Sequence, residues 1–247
     1  MDRMLYVAMT GAKETMRAQT VNNHNLANVS TTGFRADLAA FQSRAVDGSG
    51  YASRVYATNG TVGFDKNTGA LTTTGRDLDV AVHGDGWIAV QGPDGKEAYT
   101  RAGDFKVDPT GQLMTATGQP VLSDGGAPIN IPPYTSIFFA GDGSISVVAQ
   151  GQTPDTTATV GRIKLVNPPD EQIERGDDGL FRMKDGSTAA SDPNVRLDSG
   201  VLESSNVNTA SAMVNMIELA RQFEMQVKAI RTAEETAASA SQLMRLG

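Results

Sequence analysis

The chain has 247 residues, 39% of them hydrophobic, with 26 Gly and 10 Pro, which supports one or two packed units and excludes wholesale disorder. Its formal net charge of −7 repels phosphate backbones and anionic lipid surfaces, so no nucleic-acid partner is expected. The absence of Cys removes disulfides, thiolate nucleophiles and Cys-based metal centres, leaving His24 and His83 as the only imidazoles.

At the amino terminus, Leu5, Met9, Ala12, Met16, Gln19, Asn23 and Leu26 recur at alternating steps of four and three. This spacing predicts a helix from about Asp2 to Asn28. Arg3 followed by the uncharged run Met4–Ala12 resembles a short signal-peptide core. Asp2 offsets that charge, no Ala-x-Ala follows, and the helical spacing continues past Lys13 and Glu14. No cleaved Sec signal is therefore expected. No run approaches the roughly 18–20 apolar residues of a membrane helix, so no direct membrane insertion is expected either.

Val29-Ser30-Thr31-Thr32-Gly33 supplies β-branched residues, hydroxyls and a glycine to stop the helix. Residues 35–73 read as an irregular linker or arm, the stretch to residue 60 being rich in Ala, Ser and Gly. From 74 to 205 short β-prone runs alternate with turn signals. The predicted strands are Leu78–Val82, Trp87–Gln91, Glu97–Arg101, Phe105–Val107, Ile129–Ile131, Ile145–Val148, Val160–Val166 and Val195–Leu202. Pro93-Asp94-Gly95 and Asp108-Pro109-Thr110-Gly111 have the chemistry of hairpin turns.

In the last segment, 206–247, Met213, Met216, Ala220, Phe223, Val227, Ile230, Glu234, Ala237, Ser241 and Met244 keep a 3-4 spacing. No Pro or Gly interrupts Asn208–Leu246. So long a helix suggests a coiled-coil seam. The fold class is α+β. The terminal segments, 1–34 and 206–247, form a coiled-coil-like helical domain, and 74–205 forms an all-β domain of short antiparallel strands. Neither helical stripe can bury itself. The expected subunit-interface residues are Leu5, Met9, Ala12, Met16 and Leu26 in the first helix. In the second they are Met213, Met216, Ala220, Phe223, Val227 and Ile230.

Catalytic signals are weak. Asp77, Asp79, Asp85 and Asp94 surround His83 in sequence, but Asp77–Val80 alternates acid with apolar, as on the solvated face of a half-buried strand. Gly84-Asp85-Gly86 lacks the third glycine and following helix of a nucleotide loop. Asp142-Gly143-Ser144 and Asp177-Asp178-Gly179 read as turns, without calcium-loop spacing. The methionines of both terminal segments read as helix-interface residues. No catalytic residue, metal or cofactor is expected.

Several segments, in order, resemble the axial proteins of the bacterial flagellum, the rod and hook family. Asn25-Leu26-Ala27-Asn28-Val29-Ser30-Thr31-Thr32-Gly33-Phe34-Arg35 is similar to that family's amino-terminal signature. Thr74 to Trp87, carrying Leu78, Gly84 and Gly86, resembles its β-domain motif, continued by Tyr99-Thr100-Arg101-Ala102-Gly103-Asp104-Phe105. Leu202-Glu203-Ser204-Ser205-Asn206-Val207 and Arg221-Gln222-Phe223-Glu224-Met225 resemble its carboxy-terminal signature. Within the family, the size and the Leu219–Glu224 segment look most like the proximal-rod member beside the distal rod. Ala220, Gln222 and Phe223 depart from the distal-rod pattern.

The resemblance implies a non-enzymatic subunit that leaves the cell through the flagellar type III export apparatus. It would polymerise in the periplasm with itself, other rod subunits and the distal-rod protein. The alternative within the family is a distal-rod subunit. The alternative of another class is a secreted β-rich enzyme or carbohydrate-binding module. That reading needs converging acids or aromatics, of which Trp87 and 5 Tyr are the main candidates, and it leaves both helical stripes unexplained.

Overall fold

The computed structural model describes residues 2–45, 55–152 and 156–245. The chain divides into two compact units. One is helical and contains Met1–Val29, Ala36–Asp65 and Val207–Gly247; the other is β and contains Ser30–Arg35 and Lys66–Asn206.

The helical unit is built on α1 (Asp2–Ala27) and α2 (Thr209–Arg245). Helix α1 ends where the Asn28 amide bonds back to the His24 and Asn25 carbonyls. Helix α2 begins where the Asn208 side chain accepts the Ser211 amide at 3.0 Å, an N-terminal cap. The buried residues of α1 are small or polar: Ala8, Ala12, Glu14, Thr15 and Ala18. At Gly11 a Cβ would stand 3.0 Å from Gln226 Cδ, so α2 lies close against this face. Asn22 Nδ2 donates to the Ala212 carbonyl at 2.8 Å and adds a polar tie between the helices.

Residues 35–73, expected as an irregular linker, instead contain a hairpin of β1 (Asp37–Ala45) and β2 (Val55–Phe64). The strands pair antiparallel from Asp37↔Phe64 to Ala45↔Val55, with a bulge at Leu38/Ala39. Much of β1 is small or polar (Ala39, Ala40, Gln42, Ser43), which removes the alternation that marks a strand in sequence. The part of the expected linker at 46–54 lies outside the described residues.

The β unit contains β3 (Leu71–Thr73), β4 (Val80–His83), β5 (Trp87–Gln91), β6 (Glu97–Thr100), β7 (Phe105–Val107), β8 (Leu113–Thr115), β9 (Tyr134–Phe139) and β10 (Ser144–Ala149). It continues with β11 (Thr157–Arg162), β12 (Leu165–Val166), β13 (Ile173–Arg175), β14 (Phe181–Met183), β15 (Arg196–Ser199) and β16 (Val201–Glu203). A five-stranded antiparallel sheet runs β12-β5-β6-β14-β13, and a three-stranded one runs β11-β10-β9. Two-stranded ladders pair β15 with β4, β16 with β3 and β7 with β8. Their inner faces supply one aliphatic and aromatic core around Val80, Ile88, Val90, Phe105, Leu113, Ile145 and Ile163.

Four further expectations are corrected. Ile129–Ile131 makes bridges only, where Pro128, Pro132 and Pro133 withhold amide donors. Val160–Val166 is two strands in different sheets, and Val195–Leu202 divides at Gly200 into β15 and β16. Asp79 is buried, accepting from Thr74 Oγ1 at 2.7 Å and Arg76 Nη1 at 3.1 Å, so it does not share the exposure of Asp77.

Candidate functional site

In the helical unit the expected interface residues separate into two groups. Ala12 is buried, and Leu5, Leu26, Met216, Ala220, Phe223, Val227 and Ile230 are half-buried. Met9, Met16 and Met213 are exposed. The buried line on α1 runs through Ala8, Ala12, Thr15 and Ala18 instead, because small side chains let α2 approach. Tyr6, Val214, Ile217 and Met225 join the exposed set. They belong to the same two helices, and heptad counting missed them because they stand beside the 3-4 stripe.

The first signature segment divides between the two units. Asn25 belongs to the helical one, where Asn25 Nδ2 donates to the Asp37 carbonyl at 2.9 Å and Asn25 Oδ1 accepts the Asp37 amide at 2.8 Å. His24 Nδ1 stands 2.9 Å from Asp37 Oδ2. Asn28 Nδ2 caps the His24 carbonyl at 2.9 Å; Ala27 is exposed. A cavity of about 390 Å³ in this unit is lined by Ala18, Asn22, Asn25, Asp37, Glu218, Leu219 and Gln222 among others.

Thr32, Gly33 and Phe34 fold with the β unit, where they meet the other signature segments. The Gly33 amide donates to the Glu203 carbonyl at 2.8 Å, and the Asn206 amide donates to the Phe34 carbonyl at 3.2 Å. Gly33 has φ +65°, and a Cβ there would stand 2.3 Å from the Arg101 carbonyl carbon. Only glycine fits on both counts. The Phe34 ring lies under the Arg175 guanidinium at 4.5 Å, and Arg175 also faces Phe181 at 5.0 Å. Phe181 meets Trp87 with centroids 4.4 Å apart, and Arg101 covers Trp87 at 5.6 Å.

Beside this stack the Glu203 carboxylate is buried between two arginines. Arg35 Nη2 is 2.9 Å from Glu203 Oε1, and Arg101 Nη1 is 3.0 Å from Glu203 Oε2. The Gly69 amide also donates to Glu203 Oε1 at 3.0 Å. Arg101 reaches the Val82 and Gly84 carbonyls at 3.3 and 2.5 Å. Burial draws the Arg101 guanidinium below its ordinary pKa; Glu203 opposes that shift and the Arg35 charge adds to it. Leu202 pairs with Thr72 in β16, while Ser205, Asn206 and Val207 are half-buried in the exit segment. Sequence reading missed Arg175, Asn67 and Gly69, which lie outside every quoted motif.

Elsewhere the motif residues do structural work. Leu78 packs against the core, and Gly84 and Gly86 turn the chain at φ +71° and +130°. Tyr99 donates to Glu97 Oε1 at 3.0 Å and accepts the Ala189 amide at 2.6 Å; burial is the main reason its phenol pKa is pushed up to about 12. Thr100 Oγ1 accepts the Ala102 amide at 3.0 Å. A cavity of about 380 Å³ is lined by Glu97 and Lys164 among others, and Lys164 Nζ stands 2.8 Å from Glu97 Oε1. His83 is exposed and pairs with Asp198 at 3.0 Å. Asp142 and Asp108 accept amides of the turns that follow them. Among the described residues no three His, Asp or Glu side chains form a metal-holding group.

Long helices at both ends of the chain, exposed apolar side chains on each, and a β unit whose polar clusters are internally paired define a structural, assembling class of protein. A family model described as Flagellar hook protein FlgE/F/G D1 domain matches residues 81–152. One described as Flagellar basal body rod FlgEFG protein C-terminal matches residues 198–243. The chain is 46% identical over 252 residues to the flagellar basal-body rod protein FlgF of Salmonella typhimurium, covering all of both chains. It is 45% identical to FlgF of Escherichia coli over the same span. To FlgG of Bacillus subtilis it is 34% identical, covering 94% of this chain and 96% of the relative.

The chain belongs to the flagellar basal-body rod family, and it is a structural subunit of the basal body. Membership implies assembly with other rod and hook components. Among the described residues no helix is long and apolar enough to cross a membrane.

Proposed function

We propose that the chain belongs to the proximal rod, next to the distal-rod protein. There it polymerises in the periplasm into the drive shaft that carries torque and encloses the export channel. Its partners are copies of itself, other rod subunits, the distal-rod protein and, on the way out, the flagellar type III export apparatus. Residues 1–34 and 206–247 are the assembly elements, meeting neighbours in a coiled-coil-like packing. Of the expected arm, 35–73, Ala36–Asp65 belong with the helices and Lys66–Thr73 fold with the all-β domain expected at 74–205. Leu5, Met9, Ala12, Met16 and Leu26 contribute to the interface with Met213, Met216, Ala220, Phe223, Val227 and Ile230.

One observation carries this reading. With α1 and α2 already packed together, Met9, Met16, Ile217 and Met225 remain 51, 55, 56 and 62% exposed. Covering the exposed half of each such side chain is worth about half of the ~1.5–3 kcal/mol of full burial, and a polymer repeats that gain in every subunit.

Ile217→Asp tests it in cells lacking the native subunit. The variant should be exported and keep its β-unit unfolding curve, yet be missing from isolated basal bodies. Normal incorporation and swimming would overturn the interface. A label on the native subunit should lie in the proximal segment of isolated basal bodies; a label confined to the distal segment would overturn the proximal assignment.

A further inference from the structure

Ser30–Arg35 is a short strap whose neighbours on both sides, Val29 and Ala36, belong to the helical unit, while the strap itself folds with the β unit. Two other stretches where the chain passes between units, near Lys66 and Asn206, reach the same place. Arg35 bonds the Asn67 carbonyl, and Asn206 Nδ2 donates to that carbonyl at 2.9 Å. We propose that Glu203 is the clasp that locks this strap to the β unit as one cooperative element, separate from the aliphatic core.

The chemistry favours joint closure. One buried carboxylate serves Arg35, Arg101 and the Gly69 amide together. Removing Glu203 leaves two buried guanidinium charges without a counter-charge, and removing Arg35 takes from Glu203 Oε1 the cation that it shares with the Gly69 amide, so the contacts stabilise one another. The shape allows one seating. A Cβ at Gly33 would strike the Arg101 backbone, and one at Gly69 would stand 1.8 Å from the Ser204 carbonyl oxygen. Phe34 completes the fit under Arg175. The Glu203 carboxylate meets two guanidinium groups and a backbone amide rather than aliphatic side chains, and Arg101 reaches the edge of the aliphatic core at the Val82 carbonyl. Because Glu203 ends the last strand of the unit, the clasp can close only after nearly all of the β unit is present.

Native-state hydrogen exchange on the full chain tests this, with limited trypsin digestion as a second readout. In Arg35→Met the Gly69 and Asn206 amides should exchange at least about tenfold faster, although neither bonds Arg35 directly. In Glu203→Gln the Gly33 amide should join them, and trypsin should cut after Arg35. The Ala89 and Leu122 amides, bonded within the sheet region at 3.0 Å, should not change in either variant. Unchanged Gly69 and Asn206 exchange in Arg35→Met would overturn cooperative closure. Equal acceleration of Ala89 and Leu122 would show that the strap is simply part of the core, and would overturn the proposal equally.

Discussion

In the β unit Val80, Ile88, Val90, Phe105, Leu113 and Ile145 are all 0% exposed. In the helical unit the buried apolar side chains, among the described residues, are the alanines Ala8, Ala12, Ala18 and Ala212, while Leu5, Leu26, Phe223, Val227 and Ile230 are half-buried and Met9, Met16, Ile217 and Met225 are exposed. The two regions thus spend similar apolar residues in opposite ways. The β unit closes its core within one chain, and its buried carboxylates Glu203, Asp79 and Glu97 are each paired with a cation of the same unit. The helical unit packs its helices through small residues and leaves Met9, Met16, Ile217 and Met225 exposed. Hydrophobic content alone therefore does not report where stability resides; side-chain size on each face does.

The sharpest contrast comes from one substitution in each region. Phe105→Ala removes a fully buried ring beside Phe139 and should cost about 3–5 kcal/mol. Met225→Ala, on an exposed face, should stay within about 0.5 kcal/mol. Denaturant unfolding followed by the fluorescence of Trp87, which is buried in the β unit, measures the first; helical circular dichroism measures the second. Comparable losses in the two variants would erase the distinction.

A smaller effect is confined to the β unit. The Tyr99 phenol rises from 10.0 to about 12 on folding, chiefly through burial. A raised acid pKa favours the neutral form in the folded state. Its stabilisation is therefore complete below about pH 10 and is lost as pH climbs from about 10 to about 12. Tyr99→Phe should show a shallower alkaline loss of stability across that window. An identical alkaline slope would mean that Tyr99 contributes nothing to it.

Both terminal helices were legible in the sequence to within a residue or two, because the apolar stripes are long and, in the second helix, uninterrupted by Pro or Gly. Trp87–Gln91 and Phe105–Val107 were legible as strands because each is framed by turn residues. The hairpin of β1 and β2 was not, since strings of Ala and Ser hold a ladder by backbone bonds while offering no alternation. Strands as short as Ile173–Arg175 and Phe181–Met183 gain their order from neighbours distant in sequence. At the junction, Gly33, Phe34, Arg101 and Glu203 were singled out by resemblance alone. That Gly33 and Arg101 meet Glu203, and Phe34 meets the Asn206 amide, depends on a chain reversal spanning most of the β unit, which no local pattern records. On α1 the heptad count selected Met9 and Met16 for the subunit interface, and both are exposed within the chain. Packing chose the neighbouring small residues, because close approach by α2 favours alanine over a larger side chain.

The central claim is that the β unit is complete within one chain and the helical unit is completed by neighbours. Amide hydrogen exchange across the full-length free protein, compared with the same chain in isolated basal bodies, tests it most directly. The free chain should protect Val80–Val90 strongly while Leu5–Leu26 and Met213–Ile230 exchange orders of magnitude faster. In the assembled rod, both helices should become protected. Equal, strong protection of the helices and the β core in the free monomer would contradict the account.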